Sequence, residues 1–156
     1  MCKSMSLMSG IGLALLTGLI ALPVYADGPS DYELPPKPFT ITEKVSLNKG
    51  EQVIITNRYY PYYQGAVKSD GEASGNFNQP PYSRFACYSR VTNNAGQEAV
   101  GGYSYGSYGG TNCPTTPQAS LSSVIPATYT SWTHASWRWS NGSLGNGYAN
   151  QSHYEP

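Results

Sequence analysis

Apolar and polar positions alternate along much of the chain beyond residue 38. In FTITEKVSL (residues 39–47), four of the five positions of one parity are apolar, and Glu43 is the exception. A period of two places the apolar side chains on one face of a half-buried β-strand. A short turn that ends in Gly50 separates this run from EQVIITNRYY, a second β-rich run. Because glycine accepts the positive φ of a tight turn, the pattern predicts a β-hairpin.

A second antiparallel pair is predicted further along the chain. The segment RFACYSRVT (residues 84–92) alternates in the same way, with Phe85, Cys87 and Val91 on one face. The turn NNAG follows, and a returning strand starts at Glu98. Two β-rich runs that flank a short turn with glycine are typical of a hairpin.

Further short strands are predicted toward the C-terminus. The β-rich runs there cover residues 119–125, 128–132 and 137–139. Turn dipeptides of the type Asn-Gly, which favour a change of chain direction, occur at residues 141–142 and 146–147. We therefore expect the strand at residues 137–139 to end at the first pair, and a second turn at residues 146–147.

These runs define the predicted fold class. Beyond residue 26 no window of a dozen residues has a helical period, since glycine and proline interrupt the chain. About six to eight short strands joined by regular turns are typical of an all-β domain. We predict a single antiparallel β-sandwich, jelly-roll-like or Ig-like, over residues 39–156. A partly open β-barrel is the alternative.

The first 26 residues have the pattern of an export signal. Lys3 provides a positive charge, residues 11–22 form an apolar run, and small residues stand three and one positions before residue 27. This pattern predicts a signal peptide over residues 1–26, whereas a bilayer span needs about 20 apolar residues. The Pro-rich residues 27–38 are predicted to form an extended leader. We therefore expect a secreted or periplasmic bacterial protein, without a membrane span after signal cleavage.

Two cysteines remain after removal of the signal, Cys87 and Cys113. Exported chains with an even number of cysteines usually pair them. We expect one structural disulfide, and a bond that closes a loop of this length stabilises a fold by roughly 3–4 kcal/mol in the chain-entropy model.

Charge and ligand spacing argue against several kinds of partner. Without Lys3, the nine Lys and Arg become eight, against nine Asp and Glu. A nucleic-acid partner needs a basic face, so we predict no nucleic-acid binding. The two histidines, His134 and His153, lack the closely spaced further ligands of a zinc site. We therefore predict no metal and no cofactor.

Aromatic clusters supply the candidate binding residues. The segment GGYSYGSYGG (residues 101–110) mixes tyrosine with glycine and serine, which is the composition of binding loops. The run YYPYY (residues 59–63) surrounds a proline with four tyrosines, and we expect the proline to interrupt any strand. Three tryptophans crowd the C-terminal third, and at least one is expected in the core. The predicted binding residues are Tyr60, Tyr62, Tyr63, Tyr103, Tyr105, Tyr108, Trp137 and Arg138.

A hydrolase motif lies within the same glycine-rich segment. Residues 102–106 match the pattern G-x-S-x-G around Ser104. The nucleophile of that motif requires a strand, a strained turn and a helix, together with a histidine and an acid. Glycines and serines follow the motif here instead of a helical pattern, so the signal for an enzyme is weak.

An exported β-domain with clustered aromatic rings points to binding. Sugar rings present apolar C–H faces that pack on flat aromatic rings, and Tyr, Trp and Arg also dominate protein interfaces. We predict an exported non-enzymatic protein that binds a glycan or a cell-surface partner through Tyr/Trp-rich loops. One alternative is a structural, inhibitory or toxin-like accessory factor of an envelope or secretion assembly, acting by protein–protein contact. The other is a small serine hydrolase centred on Ser104.

Overall fold

The computed structural model describes residues 34–78, 84–122, 125–139 and 141–156. The predicted signal peptide and most of the predicted leader lie outside these residues. The described chain is built from β-strands, with one short 3-10 turn at Asn48–Gly50. The strands are β1 (Phe39–Ser46), β2 (Gln52–Tyr63), β3 (Ala66–Asn76), β4 (Ala86–Asn93), β5 (Glu98–Val100), β6 (Ser104–Tyr105), β7 (Asn112–Cys113), β8 (Ala119–Ser122), β9 (Ala127–Arg138) and β10 (Leu144–Glu155).

The strands form two antiparallel sheets. Sheet A has the order β1-β2-β3, and β7 and β8 pair with different parts of β3. Sheet B has the order β10-β9-β4, and β5 and β6 pair with different parts of β4. The two sheets pack face to face, and their described strands do not close into a barrel. The predicted all-β sandwich is therefore confirmed over its barrel alternative.

The predicted hairpins form where the turn residues allow them. The β1–β2 turn contains Lys49 and Gly50 with φ of 61° and 76°. The turn after β9 contains Gly142 with φ of 83°, and its amide donates to the carbonyl of Trp139 at 2.9 Å. Both turns depend on left-handed backbone conformations that glycine adopts without strain.

Two predicted interruptions are wrong. Pro61 lies inside β2. At this point β2 has no regular partner, since β1 pairs with β2 only as far as Tyr59 and the pairing with β3 shifts register between Tyr60 and Tyr63. The missing N–H of proline is therefore not needed by a neighbouring strand. The turn predicted at residues 146–147 is part of β10. A side chain at Gly147 would approach a Val45 methyl at 2.8 Å, so this glycine serves close packing of the two sheets.

The predicted strands at residues 119–125 and 128–132 also change in extent. The first is β8, which ends at Ser122, and Ile125 lies outside the strands. The second is part of the twelve-residue β9, which also includes the first two residues of the predicted strand 137–139.

The interior contains two apolar clusters with buried polar residues between them. One cluster includes Phe85 and Trp137, and the other includes Tyr59 and Tyr129. Asn57 is fully buried, and its side-chain amide donates to the hydroxyls of Ser69 at 3.2 Å and Thr133 at 3.1 Å. Its carbonyl oxygen accepts from Ser131 at 2.8 Å and Gln151 at 2.9 Å. Buried polar groups need hydrogen-bond partners, and Asn57 finds them on both sheets. These bonds therefore link β2 and β3 of sheet A to β9 and β10 of sheet B.

The predicted disulfide is present. Cys87 in β4 is bonded to Cys113 in β7, with 6.2 Å between the Cα atoms and 26 residues between them in sequence. The bond therefore joins sheet B to sheet A and closes a loop that contains β5 and β6.

Candidate ligand-binding face

The outer face of sheet B carries aligned aromatic residues. In β9, every second residue from Ala127 to Trp137 is buried, so the residues between them point outward. The register pairs His134 of β9 with Tyr88 of β4 and with Tyr148 of β10. Since cross-strand partners lie on the same face of a sheet, these three rings stand side by side.

Ring contacts continue this line toward β6. Tyr88 stacks on His134 with centroids 4.8 Å apart and an interplanar angle of 7°, and Tyr103 approaches Tyr88 at 5.0 Å. Tyr105 follows Tyr103 at 6.0 Å, and Tyr148 lies 6.0 Å from His134 at the other end. We call Tyr105, Tyr103, Tyr88, His134 and Tyr148 the aromatic row. Its terminal tyrosines are more than half exposed, at 53% and 57%.

The glycine-rich segment of the sequence supplies one end of this row. The amide of Gly101 donates to Ser89 at 2.7 Å and that of Gly106 donates to Phe85 at 2.8 Å, so residues 101–106 run along β4. A side chain at Gly106 would meet the carbonyl oxygen of Asn112 at 2.0 Å. Glycine is therefore required for the close approach, and the tyrosines between the glycines are held against the sheet.

A cation–aromatic pair lies beside the row. The guanidinium of Arg90 sits over the ring of Trp132, 4.4 Å from its centroid, and Arg90 Nη1 lies 3.5 Å from Glu98 Oε1. In the described part of the chain, the buried atoms Arg90 Nε and His134 Nε2 have no hydrogen-bond partner. Both nitrogens are shielded from solvent, so they are exceptions to the rule that buried polar atoms are paired.

A depression of about 180 Å³ opens within the row. The rings of Tyr88 and His134 are nearly parallel and form one wall of the depression. The ring of Tyr148 is tilted by 41° from His134 and forms the opposite wall. Ser136 and Asn146 also line the depression, and they are paired with each other across β9 and β10. The site therefore combines aromatic walls with hydroxyl and amide groups, which is typical of sites that bind small polar ligands.

The imidazole of His134 is held neutral near pH 7. Burial lowers the pKa of His134 below its ordinary value of 6.5, and the positive charge of Arg90 lowers it further. A neutral imidazole carries no charge, so His134 stacks on Tyr88 without placing a second positive charge beside Arg90.

The predicted residues at the C-terminal end of β9 separate into different places. Trp137 is 2% exposed and stacks on Phe85 with centroids 5.4 Å apart, so this tryptophan belongs to the core and not to the candidate face. Arg138 is exposed and points outward on the same face as His134. Tyr103 and Tyr105 belong to the aromatic row, and Tyr108 is exposed in the loop that follows.

The other predicted tyrosines lie on sheet A. The hydroxyl of Tyr60 donates to Asp70 at 2.8 Å, and Tyr60 and Tyr63 line a groove of about 250 Å³ together with Pro35 and Pro36. Tyr62 is 40% exposed nearby. The sequence-predicted tyrosines therefore form two groups that belong to different sheets.

Several residues of the candidate face were not predicted from the sequence as site residues. These are Tyr88, Arg90, Trp132, His134 and Tyr148. The alternation within each strand assigns them to the outer face, but only the pairing register shows that they are neighbours. Tyr148 was further obscured by the turn expected just before it.

Ser104 is not brought together with either histidine. The register pairs Ser104 with Cys87, whose side chain points into the sandwich, whereas His134 points outward. His153 is stacked between Phe39 and Tyr59, with centroid distances of 4.4 and 4.5 Å. The geometry therefore does not place either histidine beside Ser104.

Comparison of the chain with protein-family models, with curated proteins and with solved structures finds no match. Within the described residues, no group of three or more His, Cys, Asp or Glu is arranged to hold a metal ion. No helix in the same part of the chain is long and apolar enough to cross a membrane.

Proposed function

We propose that this chain is an exported binding protein that recognises a glycan on the outer face of sheet B. The observation that carries this proposal is the depression between the stacked pair Tyr88–His134 and the tilted ring of Tyr148. The tilt leaves part of the Tyr148 ring accessible to the apolar C–H face of a sugar. Ser136 and Asn146 are placed to hydrogen-bond with the sugar hydroxyls.

Preorganisation of the face favours this function. Each ring of the aromatic row contacts the next, so the tyrosines lose little conformational freedom when a ligand binds. A binding site that is rigid before contact retains more of its interaction energy as affinity. The site also lies on long strands of the sheet, which hold side chains more accurately than loops do.

Export is supported by two independent features. The first 26 residues have the composition of a signal peptide. The disulfide between Cys87 and Cys113 is of the kind that persists in oxidising compartments. These two features favour export to the periplasm or beyond the cell, where polysaccharides are available as ligands.

A glycan array tests the proposal, and Tyr148→Ala and Tyr154→Ala form a matched pair of variants. Both tyrosines point outward from β10, with 57% and 65% exposure, but only Tyr148 borders the depression. We expect Tyr148→Ala to weaken binding to the best glycan by about tenfold or more, since aromatic contacts dominate such sites. Tyr154→Ala should bind as the unmodified protein does. Absence of binding to any glycan, or equal binding by both variants, would refute the proposal.

A protein partner is the second candidate function. The groove on sheet A favours it, because Pro35, Pro36, Tyr60, Pro61 and Tyr63 give it a mainly apolar lining. Aromatic and proline side chains of this kind are common at protein interfaces. A pull-down from envelope extract, with and without residues 27–38, tests this candidate. Specific capture that needs the leader, combined with a negative glycan array, would favour an accessory factor over a glycan-binding protein.

A further inference from the structure

Lysines and arginines are distributed unequally between the two sheets. Among the described residues, every lysine belongs to the strands of sheet A or to the segments that connect or precede them. The described cations of sheet B are all arginines. The lysines are Lys37, Lys44, Lys49 and Lys68, and the arginines of sheet B are Arg84, Arg90 and Arg138.

Acidic side chains are fewer on sheet B than on sheet A. On sheet A, Arg58 is neutralised by Asp70 at 3.0 Å and Glu72 at 2.6 Å. The described strands of sheet B contain only two acids, Glu98 and Glu155. Glu155 is buried and accepts a hydrogen bond from Tyr59 at 2.7 Å, so its charge does not face the aromatic row. The outer face of sheet B therefore carries an excess of positive charge.

Arginines flank the depression on both sides along the strands. Arg90 follows Tyr88 on the outer face of β4, and Arg138 follows Ser136 on the outer face of β9. Alternate residues of a strand are about 7 Å apart, so both guanidinium groups can reach a ligand that occupies the depression. Arg138 is exposed at the end of its strand, opposite Leu144.

The guanidinium of Arg90 is fixed and has donors to spare. Trp132 lies under its plane, and the contact with Glu98 is long, at 3.5 Å between partly exposed groups. Ion pairs of this kind contribute little, so Glu98 competes weakly with an incoming anion. Arginine presents a planar fork that matches a carboxylate in a bidentate manner, which lysine does not.

We infer that the candidate face takes an acidic glycan, whose sugar rings occupy the depression while Arg90 and Arg138 bind its carboxylates. This inference rests on the proposed function and adds the class of sugar. The ligand is a linear chain that follows β9, because the two arginines lie at opposite ends of the depression along that strand.

Single-stranded nucleic acid fits the same face less well. Proteins bind its bases on exposed aromatic faces, but the faces of Tyr88 and His134 are stacked on each other. The depression instead offers the hydroxyl of Ser136 and the amide of Asn146. These groups match the hydroxyl groups of a sugar better than a stacked base.

Titration calorimetry with four probes of defined charge tests the inference. The probes are an oligogalacturonate, the methyl-esterified oligomer of equal length, a sulfated oligosaccharide and an oligothymidylate. The variants are Arg90→Gln, Arg90→Lys, Arg138→Gln and, as a control on sheet A, Lys68→Gln. We expect the free acid to bind the unmodified protein at least about tenfold more tightly than its ester, since a charge-assisted hydrogen bond is lost on esterification.

The variants separate a role in ligand binding from a role in folding. Arg90→Gln and Arg138→Gln should each reduce acid binding by about tenfold and reduce ester binding by a clearly smaller factor. Arg90→Lys should recover part of the loss, and Lys68→Gln should have no effect. Arg138 is exposed, so its variant tests the inference even if a change at Arg90 disturbs Trp132.

The other outcomes show whether the acidic-glycan inference fails alone or together with the proposed function. Equal binding of acid and ester overturns the inference and leaves the proposed function standing. No binding of any sugar overturns both. Tighter binding of the sulfated probe than of the free acid would overturn recognition of carboxylates in favour of recognition of sulfates. Tighter binding of an oligothymidylate than of any sugar would overturn the choice of a glycan as the ligand.

Discussion

Removal of the disulfide should destabilise the protein by a predictable amount. The bond between Cys87 and Cys113 closes a loop of 26 residues and joins the two sheets. In the chain-entropy model, a loop of this length gives about 3.5 kcal/mol at room temperature. Because small domains unfold with about 5–15 kcal/mol, we expect the double Cys→Ala variant to lose a large part of its stability.

The loss can be expressed as a melting temperature. A domain of about 120 residues unfolds with an entropy of roughly 0.25 kcal/mol/K, so 3.5 kcal/mol corresponds to a decrease of about 14 °C. Thermal unfolding followed by far-UV circular dichroism measures this shift. Unmodified protein treated with reductant should melt close to the double variant, and this sample serves as the control for effects of the alanines themselves.

The same variant tests how the glycine-rich segment is held. The loop closed by the disulfide contains Tyr103 and Tyr105, which are anchored to β4 near Cys87. We expect weaker protection of the Gly101 and Gly106 amides from hydrogen exchange in the variant, since these amides bond to β4. A decrease in melting temperature below about 4 °C, equivalent to about 1 kcal/mol, would refute the entropic account of this bond.

Three further predictions concern the buried tryptophan, the buried polar network and the two histidines. Trp137→Ala should lower the free energy of unfolding, measured in urea, by about 3–5 kcal/mol. Trp132→Ala should lower it clearly less, because Trp132 is half-buried on the outer face. Equal decreases would contradict the assigned burial. Asn57→Leu should cost about 2 kcal/mol or more, since it leaves buried hydroxyls unpaired, and a neutral result would count against the buried network. Burial lowers the pKa of both His134 and His153 below 6.5, so the unfolded chain binds more protons and stability should fall as pH decreases below about 6.5. Replacing both histidines by glutamine should flatten this pH dependence, and an unchanged slope would assign it to other groups.

Much of the fold could be predicted from local patterns. Alternation predicted β1 and β4, a β-rich run predicted β2, the turns around Gly50 and Gly142 formed as expected, and the two cysteines paired. These features depend on residues that are close in sequence or, for the cysteines, on the small number of possible pairings. Local rules therefore determined the elements and one long-range bond.

The buried polar residues could not be predicted in the same way. Asn57, Ser131 and Thr133 occupy inward positions, yet serine, threonine and asparagine are more often exposed. They are accommodated because their partners come from the opposite sheet. A sequence pattern that counts only apolar residues assigns no face to such positions.

The candidate face could be predicted only in part, because register and not alternation creates it. Tyr88 and His134 are 46 residues apart, and each alone is an ordinary outward residue of a strand. Trp137 shows the reverse error: a prominent aromatic residue beside an arginine was assigned to binding, although its parity places it inward with Phe85. The parity of a strand residue was a better guide to its role than its residue type.

Register also explains how the polar interior and the candidate face depend on each other. A slip of β9 by one residue would move His134 and Trp132 inward and bring Ser131 and Thr133 to the surface, because strand residues alternate between faces. The same slip would expose Tyr129 and Trp137, which are buried in the two apolar clusters. The bonds from Asn57 to Ser131 and Thr133 add directional contacts that a slipped strand cannot make. The apolar clusters and the buried amide of β2 therefore act together to specify which side chains of β9 face outward, and through them the order of the aromatic row.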